Sequence, residues 1–353
     1  MMPEINKPHI GLLGTGWIGR LRLQALLANK AAEVVAVCDP DPGCLAEARA
    51  LVPAAIACSD LDELLQTPEL QGIVIATPSA LHAEQSQRCL AAGKAVYCQK
   101  PLGRDGTETR QVIRAAEQAD RLLGVDLCYR YLQATQAVRQ LIDAGSLGDI
   151  YAARLVFHNA YGPDKPWFYQ RSQAGGGCLI DLGIHLVDLA LWLLRMDVVN
   201  VTGRCFAQGK SLSLPSETVE DYVTARLDLA GGAAVDIACS WRLPAGQDAV
   251  IEMEFFGTQG GAAIKNVQGS FFDFTAHYYQ GTARQLLVEP PDDWGGRALL
   301  AWAQQLAIGD RFDPAVRQVA TVAEVLDRIY GLAGGFEQHA LPRRDNDVIS
   351  MSA

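Results

Sequence analysis

The chain has no Cys-x-x-Cys pair, no cluster of basic residues, no low-complexity linker and no internal repeat, and only 7% of its residues are aromatic. Each absence removes a class of protein. Its nine cysteines are scattered, and Cys38, Cys98, Cys128 and Cys239 lie in apolar, strand-like runs. They read as small buried hydrophobes in a reducing compartment, not as a disulfide or zinc framework. No His/Cys/Asp/Glu cluster has ligand spacing, so no metal is expected. Acidic residues outnumber basic ones by 40 to 30, giving a net charge of −10. With no basic stripe, a nucleic-acid partner is not expected. No stretch approaches the ~20 apolar residues of a membrane span. The opening run Met1-Met-Pro-Glu-Ile-Asn-Lys7 has neither an apolar signal core nor twin arginines, so the expected location is cytoplasmic, away from membranes. What remains is an ordinary globular composition, 49% hydrophobic and 20% charged over 353 residues, long enough for two domains with separate cores.

The most informative segment is His9-Ile-Gly-Leu-Leu-Gly-Thr-Gly-Trp-Ile-Gly19. A short apolar run precedes Gly14, and a helical pattern of Ile18, Leu21, Leu23, Leu26 and Leu27 follows Gly16. In such a strand–turn–helix, Gly14, Gly16 and Gly19 allow a tight turn and close approach to a pyrophosphate, with Thr15, Trp17 and Ile18 completing the loop. The helix N-terminus offers free N–H groups to the phosphates. Asp39 ends a second apolar run, Val34–Cys38, where a carboxylate accepts hydrogen bonds from the adenosine ribose. A turn without a ligand gives Asp39 no evident role. The pattern predicts NAD binding. A carboxylate repels a 2′-phosphate, and Pro40-Asp-Pro42 supplies no cation to welcome one, although NADP use stays open.

Apolar runs at 9–13, 33–38, 54–57, 72–76, 95–98 and 123–128 alternate with helical patterns near 17–28, 43–51, 60–66, 80–92 and 106–119. This alternation predicts a Rossmann-type, doubly wound parallel sheet over residues 1–128, with its ligand beyond the strands' carboxyl ends. After a helix at 132–144 the pattern changes. Strand-like runs appear at 150–158, 233–241 and 249–256, and period-two alternation runs from Val219 to Leu229. There Val219, Val223, Ala225, Leu227 and Leu229 face one way, with Glu220, Tyr222, Thr224, Arg226 and Asp228 opposite. These features predict an α+β domain over 129–340 with a large, mostly antiparallel open sheet. Late helices at 295–308 and 315–332 are expected to pack back on the body, and 341–353 reads as a tail.

Three side chains carry the chemistry. Lys100 follows the fifth strand, and Pro101 fixes the backbone behind it. Asp181 and His185 are spaced i, i+4 after the cluster Gly175-Gly-Gly177, on one face of an apolar helix. The bland alternatives are a solvated lysine, a helix-start aspartate and a satisfied core histidine; metal binding by the pair lacks further ligands. Together the three suit hydride transfer between a carbinol carbon and nicotinamide, with His185 as the base for the hydroxyl proton. Asp181 would orient His185 or bind a hydroxyl, and Lys100 would polarise the developing carbonyl or relay the proton.

Gly14–Gly19, Ala76-Thr-Pro-Ser-Ala-Leu-His82, Gln99-Lys-Pro101 and Gly175-Gly-Gly-Cys-Leu-Ile-Asp-Leu-Gly-Ile-His185 together resemble the Gfo/Idh/MocA family of oxidoreductases, from residue 8 to about 335. The resemblance implies Lys100, Asp181 and His185 as catalytic residues, and Thr77, Pro78 and His82 in the cofactor groove. It implies Arg130 and His158 near the substrate, a sugar, sugar derivative or cyclitol. It also implies homodimers or tetramers formed through the open sheet face, which would carry Tyr222, Thr224, Arg226, Ala238, Ser240 and Glu252. Two positions depart from the pattern: Gln99 stands where the family usually has Glu, and Ser79 where Asn is common. In the loop Asn159–Trp167, Tyr161 and Trp167 are candidates to stack on a sugar ring, and Asn159 and Lys165 to reach its hydroxyls. Two rival functions keep the fold: a redox-neutral NAD-using glycosidase or epimerase, and a non-catalytic dinucleotide sensor.

Overall fold

The computed structural model describes residues 7–332, so the expected tail at 341–353 lies outside the described residues. The first unit begins β1 (His9–Leu13), α1 (Trp17–Asn29), β2 (Glu33–Cys38), α2 (Pro42–Leu51), β3 (Ile56–Cys58) and α3 (Leu61–Leu65). It continues β4 (Gly72–Ile75), α4 (Ser79–Ala91), β5 (Ala95–Cys98), α5 (Gly106–Ala119) and β6 (Leu123–Val125). The strands pair in parallel in the order β3-β2-β1-β4-β5-β6. Their near-continuous apolar sequences reflect burial on both faces: every residue of β4 and β5 is buried. The order reverses between β1 and β4, which opens the crevice where such sheets bind ligands.

The second unit holds α6 (Gln133–Asp143), β7 (Ile150–Asn159), α7 (Arg171–Ala174) and α8 (Ile184–Leu194). Next come β8 (Val198–Ala207), β9 (Lys210–Ser211), β10 (Tyr222–Leu229), β11 (Ala234–Ser240), β12 (Ala249–Gly257), β13 (Gly261–Asn266), β14 (Phe274–Gln280) and β15 (Ala283–Val288). The nine strands run β15-β14-β13-β12-β7-β11-β10-β8-β9, antiparallel except for the parallel β7–β11 pair. One face packs under α8. The other carries an exposed ion-pair ladder in which Arg154 and Lys265 both reach Glu252 and Glu254.

Two late helices tie the units together. α9 (Arg297–Ile308) lies against the parallel sheet, with Trp302 against Tyr97 at 5.6 Å and filling the space beside Gly72 and Gly124. α10 (Gln318–Leu332) bridges α5 and β8, and its Asp327 accepts the first N–H of α5, from Gly106, at 2.9 Å.

Three sequence expectations need correction. The segment Arg171–Leu194, bent at Gly175–Gly177, contains an 18-residue window apolar enough by composition to cross a membrane, but 89% of that window is buried inside the protein. Glu220 does not face solvent. β10 starts only at Tyr222, and the preceding turn swings Glu220 inward, where it is fully buried. Ser240 is also fully buried, so it cannot help form an exposed interface.

Candidate active site

Gly14 has φ +89°, and a Cβ there would lie 2.6 Å from the Ala76 carbonyl, so the turn between β1 and α1, packed against the end of β4, admits only glycine. A Cβ on Gly19 would fall 2.1 Å from the Gly14 oxygen. Gly16 differs: a Cβ there would meet nothing within 4 Å. Space is therefore open at Gly16, the N-cap of α1, which has no side-chain cap. The first N–H groups of α1, on Trp17, Ile18 and Gly19, face this uncapped end, an arrangement suited to a pyrophosphate. Trp17 is 68% exposed at its rim.

Asp39 has a role within the protein. Its Oδ2 accepts the Thr15 backbone N–H at 2.6 Å and the Thr15 hydroxyl at 3.2 Å, and its Oδ1 accepts the Asp41 N–H at 2.9 Å. The carboxylate thus closes the glycine turn.

Across the crevice, His82 is buried on α4 between two loops. Its Nδ1 lies 2.7 Å from the Pro101 carbonyl and its Nε2 2.7 Å from the Thr77 carbonyl. It therefore sits between Thr77-Pro78 and Lys100-Pro101, donating to one carbonyl when neutral and to both when protonated, and presents neither nitrogen to a cofactor. Thr77 itself donates its hydroxyl to Gln85 at 2.6 Å. The buried Gln99 donates its amide to Asp126, which also takes the Arg22 Nε–H at 2.6 Å. The carboxylate here is on Asp126, and the neutral side chain at 99 meets it as a donor, avoiding two carboxylates in contact. The Lys100–Pro101 bond is cis.

Lys100 reaches from the end of β5 to the second unit. Its Nζ donates to Asp181 Oδ1 at 2.7 Å and to the Asp181 carbonyl at 2.6 Å, leaving one ammonium proton unassigned. Asp181 Oδ2 accepts the Trp241 indole N–H at 3.0 Å. Both oxygens are engaged and no hydrogen bond joins Asp181 to His185, so Asp181 does not orient the imidazole. Residues Leu179–Gly183 are wound as a π-helix, a wider turn than the α-helical i, i+4 expectation. His185 is buried against Tyr129, ring centres 4.8 Å apart, and its Nδ1 has no partner among the described residues. Burial, reinforced by the Lys100 ammonium, holds His185 well below the ordinary imidazole value. That shift favours the neutral ring.

Residues 9–127 match the description "Oxidoreductase family, NAD-binding Rossmann fold", and residues 135–263 match "GFO/IDH/MocA C-terminal domain". The chain belongs to the Gfo/Idh/MocA oxidoreductase family. It is 30% identical to inositol 2-dehydrogenase of Rhizobium meliloti (strain 1021) over 260 residues, covering 73% of this chain and 76% of that protein. It is likewise 30% identical to 1,5-anhydro-D-fructose reductase of Ensifer adhaerens over 211 residues, 59% of this chain and 61% of that one. Its fold is shared with levoglucosan dehydrogenase in complex with NADH and L-sorbose, at TM-score 0.82 and 22% identity, covering 96% and 100% of the two chains. As in the rest of the Gfo/Idh/MocA family, the first unit is an NAD-binding Rossmann domain and the protein is an NAD(P)-dependent oxidoreductase.

Two residues that the resemblance put near the substrate have partners within the protein. Arg130 is consumed by a buried ion pair, donating Nε–H to Asp188 Oδ2 at 2.8 Å and a second N–H to Oδ1. His158 points to the opposite sheet face, because β7 alternates: Phe157 packs inward on Tyr129, so His158 faces outward. There it meets the Ser240 hydroxyl at 2.8 Å and stacks on Tyr222 at 5.9 Å. Asn159 shares the inner face with Phe157, and its Oδ1 is buried without a partner among the described residues. In the loop, Trp167 stacks on Phe168 at 3.8 Å, half-exposed, while Tyr161 is 52% exposed beside Phe271. Lys165 pairs only with neighbouring Asp164.

Sequence reasoning missed Trp241, Asp126 and Glu220. Glu220 Oε1 accepts the N–H groups of Gly177 and Leu179 at 2.9 and 3.0 Å and the Tyr330 hydroxyl at 2.8 Å, which seats the helix bearing Asp181. Burial raises its carboxyl above the ordinary value. The only sequence signal for Trp241 was a large aromatic at the end of a predicted strand.

Proposed function

We propose that this chain is an NAD-dependent dehydrogenase or reductase acting on a ring hydroxyl of a sugar, sugar derivative or cyclitol. The reading rests on one observation: an ammonium from the first sheet and a neutral imidazole from the second unit meet at the crevice. The chemistry supplied by bound NAD is acceptance of a hydride from the carbinol carbon. The chain's own work is proton handling and orientation. His185 takes the hydroxyl proton as general base. Lys100, held by Asp181 through two of its three N–H groups, offers the third to the same oxygen as negative charge builds there. Asn159, on the inner face with an unpartnered amide oxygen, binds a neighbouring hydroxyl, and Trp167 or Tyr161 covers the ring. Gly14, Gly16, Gly19, Asp39 and the loops at Thr77 and Gln99 form the cofactor groove. Asp39 favours NAD over NADP.

The functional division is a cofactor domain up to about residue 128 and a substrate domain after it. The ion-paired open face of the nine-stranded sheet, Arg154 and Lys265 with Glu252 and Glu254, suits a polar homo-oligomeric interface. The nine free thiols suit a cytoplasmic setting.

Absorbance at the NADH band, with NAD and a panel of sugars, cyclitols and sugar acids, tests the function. Reduction of NAD by at least one polyol is expected, and Lys100→Ala should slow it by about 10²–10⁴-fold. NADH formation by wild type and Lys100→Ala at equal rates would remove the lysine from the reaction. No net NADH with any polyol, alongside turnover of a glycoside or epimerisable sugar, would favour a redox-neutral cycle.

A further inference from the structure

We propose that Trp241 is a positioning residue: its indole N–H fixes the Asp181 carboxylate, and with it the Lys100 ammonium, in register with the aromatic segment 167–169. Trp241 lies one residue beyond β11 and is 3% exposed. Its backbone N–H donates to the Asp221 carbonyl at 2.8 Å, which pins the chain at that point. A buried indole N–H needs an acceptor, and Asp181 Oδ2 at 3.0 Å is the one it has. The opposite oxygen, Oδ1, holds Lys100 at 2.7 Å. The carboxylate is thus gripped from both sides, and rotation about its Cβ–Cγ bond would break both contacts together. The same indole is the wall for the aromatic segment. Phe168 meets it edge-on at 6.4 Å and Tyr169 at 5.5 Å, while Trp167 stacks on Phe168 at 3.8 Å. A continuous line of contacts therefore runs Trp167–Phe168–Trp241–Asp181–Lys100, from the loop proposed to cover the substrate to the charged pair. Its members come from four segments of the chain, and Trp241 touches both the loop and the carboxylate.

The kinetic half of this inference rests on the dehydrogenase reading, so the test pairs it with a measurement that needs no substrate. Trp241→Phe keeps the ring and removes only the donor. The rate of Lys100 acetylation by dilute acetic anhydride, read by mass spectrometry against exposed Lys210 in the same molecule, reports how firmly the ammonium is held. The expected result is acetylation of Lys100 about threefold or more faster in Trp241→Phe, because loosening Asp181 frees the amine. With the best polyol, kcat should fall about tenfold, the order of one hydrogen bond to a charged group, with KM and NADH affinity within about twofold. Combined with Trp167→Ala, the loss should be non-additive, since the two side chains lie on one line of contacts. Trp241→His, which retains a ring N–H, should recover part of the rate, and it carries the test if the Phe variant fails to fold. Unchanged Lys100 acetylation and unchanged kcat in a folded Trp241→Phe would overturn the proposal. An inactive wild type would sink the dehydrogenase reading alone, leaving the acetylation ratio to decide on Trp241.

Discussion

Two regions of the crevice each bury a histidine, and they treat it in opposite ways. His82, in the first unit, lies between the carbonyls of Thr77 and Pro101, both 2.7 Å away. His185, in the second, packs on Tyr129 and leaves Nδ1 with no partner among the described residues. Burial lowers the proton affinity of both. Only the surroundings separate a brace from a reagent. A buried polar group whose partners all come from the protein holds parts together, whereas one left wanting a partner calls for an explanation, of which a catalytic role is one. Arg130 with Asp188 falls on the first side of this division, and Asn159 on the second.

The comparison breaks most easily at Arg130. If it is a brace, Arg130→Met leaves the Asp188 carboxylate buried and uncompensated, and stability should fall by about 3–5 kcal/mol in denaturant titration. A variant of native stability with a raised KM would instead return Arg130 to the substrate. Next comes His185→Asn, for which kcat should drop about 10²–10³-fold while NADH affinity by fluorescence titration holds within about twofold. Its counterpart His82→Leu should cost about 1–3 kcal/mol through unpaired carbonyls, and should weaken NADH binding as the two loops part. Equal kinetic damage from the two variants, without the stability difference, would erase the distinction.

The smallest effect is on pH. The folded-state affinity of His185 is depressed, so unfolding takes up a proton once the pH falls below the unfolded imidazole value of about 6.5. Stability from this group is present above that value and is lost as the pH drops. Melting temperature should therefore decline from about pH 7 to 5 more steeply in wild type than in His185→Asn. Parallel slopes would mean that His185 is not held neutral.

The parallel sheet was legible strand by strand because its members are buried on both faces, and no partner choice blurs a run such as Gly72-Ile-Val-Ile75. The outer strands of the second sheet were not. β13 is small and buried, Gly261-Ala-Ala-Ile264, without alternation, and β15 is mostly exposed, so neither carries the period that reveals a half-buried strand. The candidate site divides similarly. Lys100, Asp181 and His185 were readable because each is a polar residue in an apolar setting with a spacing that demands a reason. Trp241 was not, since its partner lies 60 residues away and nothing local distinguishes a tryptophan that donates from one that merely fills space. His158, given a place near the substrate by the resemblance alone, stands on the outward face because one step along β7 reverses the face a side chain serves.

The buried acid at 220 reaches further than its own turn. It accepts from the turn that opens the Asp181 segment and from Tyr330, two residues from the end of α10. The closing turn of that last helix is therefore a structural support of the chemistry. A chain cut back before Tyr330 would keep every residue of the crevice and still lose the seat on which its acid and base are mounted.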